Sequence, residues 1–493
     1  MFPQIRRLLK HSAVYGLGHV LSRIVSFLLL PYLTHYLSPD QYGAVTLIYT
    51  FISIALVIYL YGADIAFLRF YILEKNEKSR EKIFSTIIWS SLATSGLFSV
   101  LIGISTGVIA KLIFANPAEL GADASHLILL SAGILFADAL GTFPYLWLRS
   151  MEKSLPFIGL KTLGAVVHVG LTVLFLSVFQ RGILGIFEAN FIASSLQLIL
   201  LLPVIVKNTK FSVQLRHFGE FFRFGLPNVP SQLFVMVVEL SDRKILELLV
   251  GLTVVGLYSA GYKLGLFMAV VTMGFRFAWQ PFFLSIADKS NAKETFARVF
   301  TYFLLVTISL FLLLAFTVEP LMKTRLPFLG TLISEDFWPG LKVFPIILLA
   351  HIANGAYANF MVGVYIKKKT GLMPLVTGVA ALVNVGFNLI FVPVFGMMAA
   401  AWATFLAYFT LAALLYFLIQ PHYFIPYEWK RVRILVFCAG AAYAASLLPF
   451  FQDYWLLKLL LLPLFFVLLQ TFHFFLPEEI AGARRRLAAL QNQ

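Results

Sequence analysis

The chain has a single cysteine, Cys438, and only 12% of its 493 residues are charged. One cysteine cannot form a disulfide within the chain and makes a cysteine-based metal site untenable. The sequence also lacks any Gly-Lys dipeptide, and therefore has no phosphate loop of the G-x-x-x-x-G-K-[ST] type. These shortages exclude internal disulfide bonds, a thiolate metal centre and ATP hydrolysis by a P-loop.

The abundant residues are apolar. They make up 60% of the chain and give a mean hydropathy of +0.88, whereas soluble domains contain roughly 45–50% apolar and about 25% charged residues. They fall in repeated blocks of about 20 residues or more, the length that crosses ~30 Å of hydrocarbon. The first block, 12–36, is too long for a signal-peptide core, and no small-residue cleavage site follows it. The sequence therefore predicts an all-α polytopic membrane protein.

About 14 transmembrane helices are predicted from these blocks. Their ranges are 12–36, 42–70, 83–113, 125–149, 157–179, 182–206, 221–248, 253–284, 296–322, 342–366, 371–394, 396–420, 433–450 and 455–476. The connections between them are too short to hold a catalytic domain. The linker at 207–220 mixes aromatic and basic residues, and is either an interfacial helix or an ordinary anchored loop.

Lysine and arginine predict the orientation, because they concentrate in cytoplasmic loops. With the N-terminus inside, the inner segments hold 25 of the 38 basic residues, the outer connections hold 6, and the remaining 7 lie within spans. Both termini are therefore predicted to lie in the cytoplasm. The net charge of +15 is explained by this bias, so no nucleic-acid partner is predicted.

A weak internal repeat divides the chain. Three matches follow one another at offsets of 213 to 216: Gly43 with Gly256, 168–175 with 384–391, and 182–185 with 396–399. The repeat predicts an N-lobe of spans 1–6 (1–206), the linker 207–220, and a C-lobe of spans 7–12 (221–420). Residues 421–493 then hold spans 13 and 14 and a basic tail. Parallel repeats of this kind are common in transporters, with the substrate site between the halves.

Ionisable residues inside the spans are the predicted site, because a charge at mid-bilayer costs about 2.5–3.5 kcal/mol on insertion scales and marks a cavity or a partner. Bases outnumber acids by seven to five, which favours an anionic substrate such as a phosphate. The predicted substrate-binding residues are Arg23, Arg243, Arg276, Lys263, Asn228, Gln232, Asn384 and Asn388. The acids that could couple transport to an ion are Asp64, Asp138, Glu188, Glu239 and Asp242.

Simpler interpretations stay open for several of these residues. Arg69, Arg149 and Lys161 lie near cytoplasmic ends of spans, where long basic side chains snorkel to the headgroups. Asp242 beside Arg243 is compatible with a structural ion pair. Arg276 fits either the cavity or the inner headgroups. His168 and His351 fit hydrogen-bonded histidines of the helix bundle better than proton carriers.

The chain resembles the polysaccharide or O-antigen flippases (Wzx-type, PST family) of the MOP superfamily, which also holds the MATE exporters and the lipid II flippase MurJ. The motifs that carry the resemblance are the turn 37–43 (Leu-Ser-Pro-Asp-Gln-Tyr-Gly), Arg69-Phe70, Asp242-Arg243, 255–263 (Val-Gly-Leu-Tyr-Ser-Ala-Gly-Tyr-Lys), 391–399 (Phe-Val-Pro-Val-Phe-Gly-Met-Met-Ala) and 426–431 (Pro-Tyr-Glu-Trp-Lys-Arg). It implies two six-helix lobes in a pseudo-symmetric bundle, with two extra C-terminal helices.

The same resemblance implies a non-enzymatic flippase, a secondary transporter that moves undecaprenyl-diphosphate-linked oligosaccharide from the inner to the outer leaflet by alternating access. The expected partners are this anionic lipid-linked oligosaccharide, membrane lipids and the polymerase or export proteins of a polysaccharide pathway. The location that the resemblance implies is a bacterial cytoplasmic (inner) membrane. No cofactor is expected beyond a coupling proton or sodium ion. The alternatives are a lipid II flippase of the MurJ type, a MATE-type multidrug antiporter and a membrane-embedded glycosyltransferase or polymerase.

Overall fold

The computed structural model describes residues 27, 29–120, 123–211, 215–326, 330–479 and 481, and these are almost entirely helical. Residues 29–36 are helical ahead of the first complete element. The α-helices are α1 Pro39–Leu60, α2 Ala63–Leu73, α3 Glu77–Ile104, α4 Thr106–Ile113, α5 Ala124–Ser150, α6 Ser154–Ser177, α7 Gly182–Asn208, α8 Leu215–Gly225, α9 Val229–Leu249, α10 Leu252–Ile286, α11 Ala292–Lys323, α12 Phe344–Ile366, α13 Leu372–Phe395, α14 Met397–Ile419, α15 Trp429–Ser446, α16 Pro449–Asp453 and α17 Leu461–Thr471.

The remaining regular structure is short. Strands β1 (Arg325–Leu326) and β2 (Gly330–Thr331) pair antiparallel, with Arg325 opposite Thr331. Four 3₁₀ helices cover Pro117–Leu120, Leu226–Asn228, Glu335–Val343 and Trp455–Leu460.

The predicted membrane helices are present. In the described part of the chain, 11 helices are long and apolar enough to cross a membrane, and they correspond in order to the predicted second to twelfth spans. The predicted first span, 12–36, lies mostly outside the described residues. Helix α15 and the apolar segment Trp455–Thr471 occupy the positions of the predicted last two spans. The all-helical, polytopic fold class is therefore confirmed.

Two predicted spans are not continuous helices. The span predicted at 42–70 is broken between α1 and α2, where Tyr61 (φ 39°) and Gly62 (φ 74°) are both left-handed. The span predicted at 83–113 is divided at Ser105 into α3 and α4. Neither break contains a proline, whereas Pro144, Pro281 and Pro393 lie inside helices that continue past them.

The described helices form two compact units, each assembled from separate parts of the chain. The first unit contains the described residues within Met1–Leu264, Ile333–Ile347 and Gly371–Leu411. The second contains those within Gly265–Leu332, Leu348–Thr370 and Ala412–Gln493. This division by compactness differs from the division by repeat into 1–206, 207–220, 221–420 and 421–493, which stays a prediction.

Glycines that correspond in the sequence repeat have matching roles in the first unit. Gly182 and Gly396 both have φ 54° and precede or open a helix. Gly43 and Gly256 pack against each other, since a Cβ on Gly43 would lie 2.3 Å from the carbonyl oxygen of Leu252 and 3.1 Å from the Gly256 nitrogen. Contact between equivalent residues is expected at a pseudo-twofold axis. These glycines are close or alike in conformation, and the division of the chain by repeat stays a prediction.

The linker after α7 forms helix α8, which packs on α2. The Gly62 and Gly225 backbones are so close that a Cβ on Gly62 would lie 2.3 Å from the Gly225 carbonyl oxygen. The Tyr61 ring stacks on Phe222 with centroids 4.6 Å apart, and the Arg69 guanidinium lies 4.4 Å from the centre of the Phe224 ring. The break after α1 is therefore held by the linker helix, and Arg69 has an aromatic partner there.

Candidate functional site

Helices α9, α10 and α14 of the first unit bury an acid and a base together. Asp242 is fully buried and Arg243 is 6% exposed. The Asp242 carboxylate accepts from Arg243 Nη1 at 2.6 Å, from the Arg243 backbone N–H at 2.9 Å, from Thr404 Oγ1 at 3.3 Å and from the Tyr258 hydroxyl. We call these residues, Asp242, Arg243, Tyr258 and Thr404, the Asp242 cluster. Its acceptor oxygens are engaged by partners from three helices.

The rest of the Arg243 side chain is also engaged. Its Nη1 donates to the backbone carbonyl of Glu239, one turn earlier on α9. Its guanidinium lies 4.2 Å from the centre of the Tyr262 ring, a cation–π distance. The cluster thus matches the structural ion pair that the sequence left open, and Arg243 as a diphosphate ligand stays a prediction.

Two predicted amides continue this polar contact between α9 and α13. Asn384 and Asn388 are both fully buried. The Asn384 Oδ1 accepts from Ser241 Oγ at 3.0 Å and from Asn388 Nδ2 at 3.2 Å. Asn384 Nδ2 and Asn388 Oδ1 have no hydrogen-bond partner among the described residues. Asn384, on the predicted span 11, therefore contacts span 7, and the role of both asparagines in substrate binding remains a prediction.

A second polar region is a cavity of about 290 Å³ among α1, α5, α6 and α7, all within the first unit. We call it the α5–α7 cavity. Its polar lining residues are Asp138, Thr142, Tyr145, Lys161, His168, Asn190, Ser194 and Gln197. The charges of Asp138 and Lys161 act on each other, yet they do not form an ion pair within 4.0 Å. The acid and the base therefore line the same cavity, on different helices, without forming an ion pair.

The neighbouring side chains fix this arrangement. The Tyr145 hydroxyl donates to Gln197 Oε1 at 2.7 Å, and Lys161 Nζ lies 4.1 Å from the centre of the Tyr145 ring. Asp138 shares a hydrogen bond with Ser194. A Cβ on Gly164 would lie 2.1 Å from Gln197 Nε2, so the glutamine can cross α6 only because residue 164 is glycine. The cavity walls are thus shaped by specific contacts.

Lys263 and His168 form a third feature beside this cavity. Lys263 on α10 is half-buried within a predicted span, and no acid in the described part of the chain lies within ion-pair distance of it. Its charge acts on His168, which lines the α5–α7 cavity from α6. The His168 Nε2 atom is buried without a hydrogen-bond partner among the described residues. A lysine without an acidic partner therefore lies within electrostatic range of a histidine whose Nε2 can still form a hydrogen bond.

The other predicted site residues are more scattered. Arg23 lies outside the described residues. Arg276 is exposed in the second unit, where its charge acts on Tyr357. On α9 and the turn before it, Gln232 is half-buried and Asn228 Nδ2 donates to the Phe224 carbonyl at 3.0 Å. Their roles stay predictions.

The predicted coupling acids also differ from one another. Glu188 pairs with Arg181 at the start of α7, with Nε to Oε2 at 3.1 Å. Asp64 has one buried carboxylate oxygen without a partner among the described residues. Glu239 is half-buried on α9, Asp138 lines the cavity, and Asp242 is saturated. No contact singles out one of the five for ion coupling.

The sequence undervalued two residues of the cavity. Lys161 and His168, for which the sequence leaves simpler interpretations open, both line the cavity. The signal was present, since Lys161, His168 and Thr172 recur at the spacing of one helix face. The spacing does not show what this face of α6 contacts, because that depends on how α6 is rotated against α5 and α7.

These features define the class: a multi-pass α-helical membrane protein with the fold of a transporter. A family model described as "Polysaccharide biosynthesis protein" matches residues 8–287, more than half of the chain. The chain therefore belongs to this polysaccharide biosynthesis family, the PST or Wzx type of the MOP superfamily. The family and the structural relatives are transporters and flippases.

Solved structures of the same superfamily have a similar fold. One titled lipid II flippase MurJ, inward closed conformation, matches with a TM-score of 0.74 at 17% identity, over 94% of this chain and 98% of that chain. An inward-facing MATE multidrug resistance transporter matches with a TM-score of 0.65 at 16% identity, over 81% and 94%. The Vibrio cholerae MATE transporter VcmN, in a mutant form, gives 0.58 at 15%, over 84% and 97%. No curated protein matches the chain.

Proposed function

We propose that this protein translocates an undecaprenyl-diphosphate-linked oligosaccharide from the inner to the outer leaflet of a bacterial cytoplasmic membrane, by alternating access through a cationic cavity. In this proposal both termini are cytoplasmic, and the partners are membrane lipids and the polymerase or export proteins of the pathway. A proton or sodium gradient supplies the driving force. The membership in a polysaccharide biosynthesis family supports the substrate class.

The single observation that carries the cationic site is Lys263. A lysine inside a span without a partner costs about 2.5–3.5 kcal/mol on insertion scales. Such a lysine therefore indicates a functional site. Lys263 has no anionic partner among the described residues, so a bound anion would supply one. His168, with its unpartnered Nε2, supplies a second donor when that nitrogen carries the proton.

The chemistry of these two groups suits a diphosphate. Lysine binds phosphate as a compact point charge with three donors, and phosphate oxygens accept from several donors at once. In the neighbouring Asp242 cluster, Arg243 already has a carboxylate partner at 2.6 Å. Recruiting Arg243 for the substrate would leave Asp242 buried without its counter-ion. We therefore assign the diphosphate first to Lys263 and His168, while Arg23 and Arg276 remain predicted ligands.

The test of this assignment is translocation by the purified protein in liposomes that contain a fluorescent undecaprenyl-diphosphate-linked oligosaccharide. Replacing Lys263→Gln should slow translocation at least roughly tenfold, because a hydrogen bond to a charged group contributes about 1.5–3 kcal/mol. The matched control is Lys111→Gln, at an exposed lysine of α4. Unchanged translocation by the Lys263 variant would refute the cationic site.

Lipid II is the runner-up substrate, and the same liposomes distinguish it. The proposed function requires that wild-type protein moves the undecaprenyl-diphosphate oligosaccharide and leaves lipid II in place. Selective movement of lipid II would replace the proposal with the alternative. Formation of a new glycosidic bond in the assay would instead indicate a glycosyltransferase or polymerase, and efflux of cationic drugs would indicate a multidrug antiporter.

A further inference from the structure

The α5–α7 cavity lies near the Lys263 ammonium, because the charge of Lys263 acts on His168, which is one of the residues that line the cavity. Ligand pockets occupy roughly 300–1,000 Å³, so a cavity of about 290 Å³ suits a ligand about as small as one sugar ring. A diphosphate held at Lys263 and His168 would carry its attached sugar to the mouth of this cavity.

The polar lining matches what a sugar ring requires. A pyranose presents hydroxyls that both donate and accept hydrogen bonds. A carboxylate accepts from such hydroxyls, and a side-chain amide can both donate to them and accept from them. Asp138 offers a carboxylate, and Gln197 keeps its Nε2 as a donor because its Oε1 is engaged by Tyr145 at 2.7 Å. Asn190 Nδ2 makes only a long contact of 3.4 Å to the Tyr49 hydroxyl. These groups come from α5 and α7, on two walls of the cavity.

The charges are arranged for a neutral ligand. Asp138 and Lys161 stand on different helices and balance each other without forming an ion pair within 4.0 Å, as judged over the described residues. A neutral polyhydroxyl ring can lie between them and bond to both without changing the net charge. By contrast, an anion placed there would face Asp138, and a cation would face Lys161 and His168.

We infer that the α5–α7 cavity binds the sugar residue attached to the diphosphate, with Asp138, Gln197 and Lys161 as the groups that hold its hydroxyls. This inference rests on the proposed function, since only a diphosphate-linked sugar places a ring beside Lys263. Gly164 is a positioning residue, because it lets Gln197 lie across α6.

The experiment measures dissociation constants of small probes on the full-length protein in nanodiscs. The probes are inorganic phosphate, pyrophosphate and a panel of sugar 1-phosphates: hexose, N-acetylhexosamine, 6-deoxyhexose and hexuronic acid. At least one sugar 1-phosphate should bind roughly tenfold or more tightly than inorganic phosphate, since one hydrogen bond to a charged group is worth that much. Asp138→Asn and Gln197→Leu should remove this advantage and leave pyrophosphate binding intact, which also shows that the variants fold.

The matched control is Asp123→Asn, the same chemical change at the N-cap of the same helix. Asp123 Oδ1 accepts from the Ser125 N–H at 2.9 Å, and asparagine caps as well as aspartate, so this variant should keep the sugar advantage. The inference is overturned if no sugar 1-phosphate binds more tightly than inorganic phosphate, or if Asp138→Asn keeps the advantage. Either result would make water the occupant of the cavity.

A failure of the diphosphate assignment would give a different result from a failure of the sugar pocket. Lys263→Gln should weaken pyrophosphate and phosphate together, while methyl glycosides of the preferred sugar should still bind and should still depend on Asp138. If pyrophosphate does not bind the wild-type protein but the methyl glycoside does, the diphosphate assignment falls and the sugar pocket stands. If pyrophosphate binds and the glycoside does not, the sugar pocket falls alone.

Discussion

The Asp242 cluster and the α5–α7 cavity contain the same kinds of side chain: an acid, a base and tyrosine. In the cluster the acid contacts the base at 2.6 Å and accepts from Thr404 and Tyr258 on two further helices. In the cavity the acid and the base line about 290 Å³ of space without forming an ion pair. The first arrangement satisfies its own charges, whereas the second leaves hydrogen-bonding capacity for a ligand. Residue type alone does not distinguish them.

The difference lies in where the partners come from. Asp242 and Arg243 are consecutive residues of α9, whose side chains would point in different directions on an isolated helix. Their contact is enclosed by Tyr258 of α10 and Thr404 of α14, which also bond to the Asp242 carboxylate. Asp138 and Lys161 lie on α5 and α6, and their separation depends on how those helices pack. The Asp242 carboxylate is therefore surrounded by protein donors, whereas Asp138 lines a cavity.

The largest effect is expected from breaking the buried ion pair between Asp242 and Arg243. Replacing Asp242→Ala leaves the Arg243 charge buried without its counter-ion, which destabilises a protein by about 3–5 kcal/mol. Unfolding in mixed micelles titrated with sodium dodecyl sulfate measures the change in free energy. The matched variant is Asp138→Ala, which should cost less because Lys161 keeps the Tyr145 ring at 4.1 Å and the cavity. Equal losses for the two variants would contradict the comparison.

An ion-pair network in the second unit is expected to contribute an intermediate amount to stability. Arg431 Nη2 is 2.9 Å from Glu479 Oε2, and its Nη1 is 2.9 Å from Glu428 Oε2. Its Nε donates to the Phe474 carbonyl at 2.8 Å. The side chains are 8% exposed for Arg431 and 15% for Glu479. This network joins the start of α15 to the segment after α17, and its charged members, Arg431, Glu428 and Glu479, lie outside the predicted spans.

Acid should weaken this attachment. Burial alone would raise the pKa of the Glu479 carboxyl, but the Leu476 N–H, the Tyr302 hydroxyl and the Arg431 guanidinium outweigh it and hold the pKa below its ordinary value. A depressed pKa means that the stabilisation is complete above the ordinary value, near 4.5, and is lost as the pH falls through the lower folded value.

We therefore expect Glu479→Gln to cost about 1.5–3 kcal/mol at neutral pH, the contribution of hydrogen bonds to a charged group. The cost should shrink as the pH falls below the ordinary value, where the wild-type carboxyl also loses its charge. The measurement is the free energy of unfolding of both proteins across that pH range. A difference that stays constant with pH would show that the Glu479 charge is not what holds the segment.

The sequence predicted the fold better than the site for a physical reason. The spans follow from composition along one segment at a time, and the predicted second to twelfth spans each have a helix. Asp242 and Arg243, adjacent in the chain, were recognisable as an ion pair, and the Asn384–Asn388 stripe was recognisable as a buried face. Lys161 and His168 were not recognised as lining a cavity, because that depends on helix rotation, which hydrophobic periodicity does not encode.

The helix break at Tyr61–Gly62 was missed for a similar reason. A left-handed tyrosine is uncommon, and the hydropathy of 42–70 runs through it without interruption. The conformation is held from outside the span by the Phe222 ring, 4.6 Å away, and by the Gly225 backbone. A contact between residues some 160 positions apart leaves no mark in a local sequence pattern.

The smallest expected effect on stability comes from neutralising both charges of the cavity. Asp138→Asn together with Lys161→Gln removes the acid and the base at once, so neither charge is left uncompensated, and such paired replacements are nearly neutral. We expect a change below about 1 kcal/mol in the free energy of unfolding. The matched double variant, Asp242→Asn with Arg243→Gln, should cost more, because it also removes the charge that Tyr258 and Thr404 bond to. If the cavity variant proved the more damaging of the two, the cavity pair would be the structural one, and the ligand site would have to be sought at Lys263 alone.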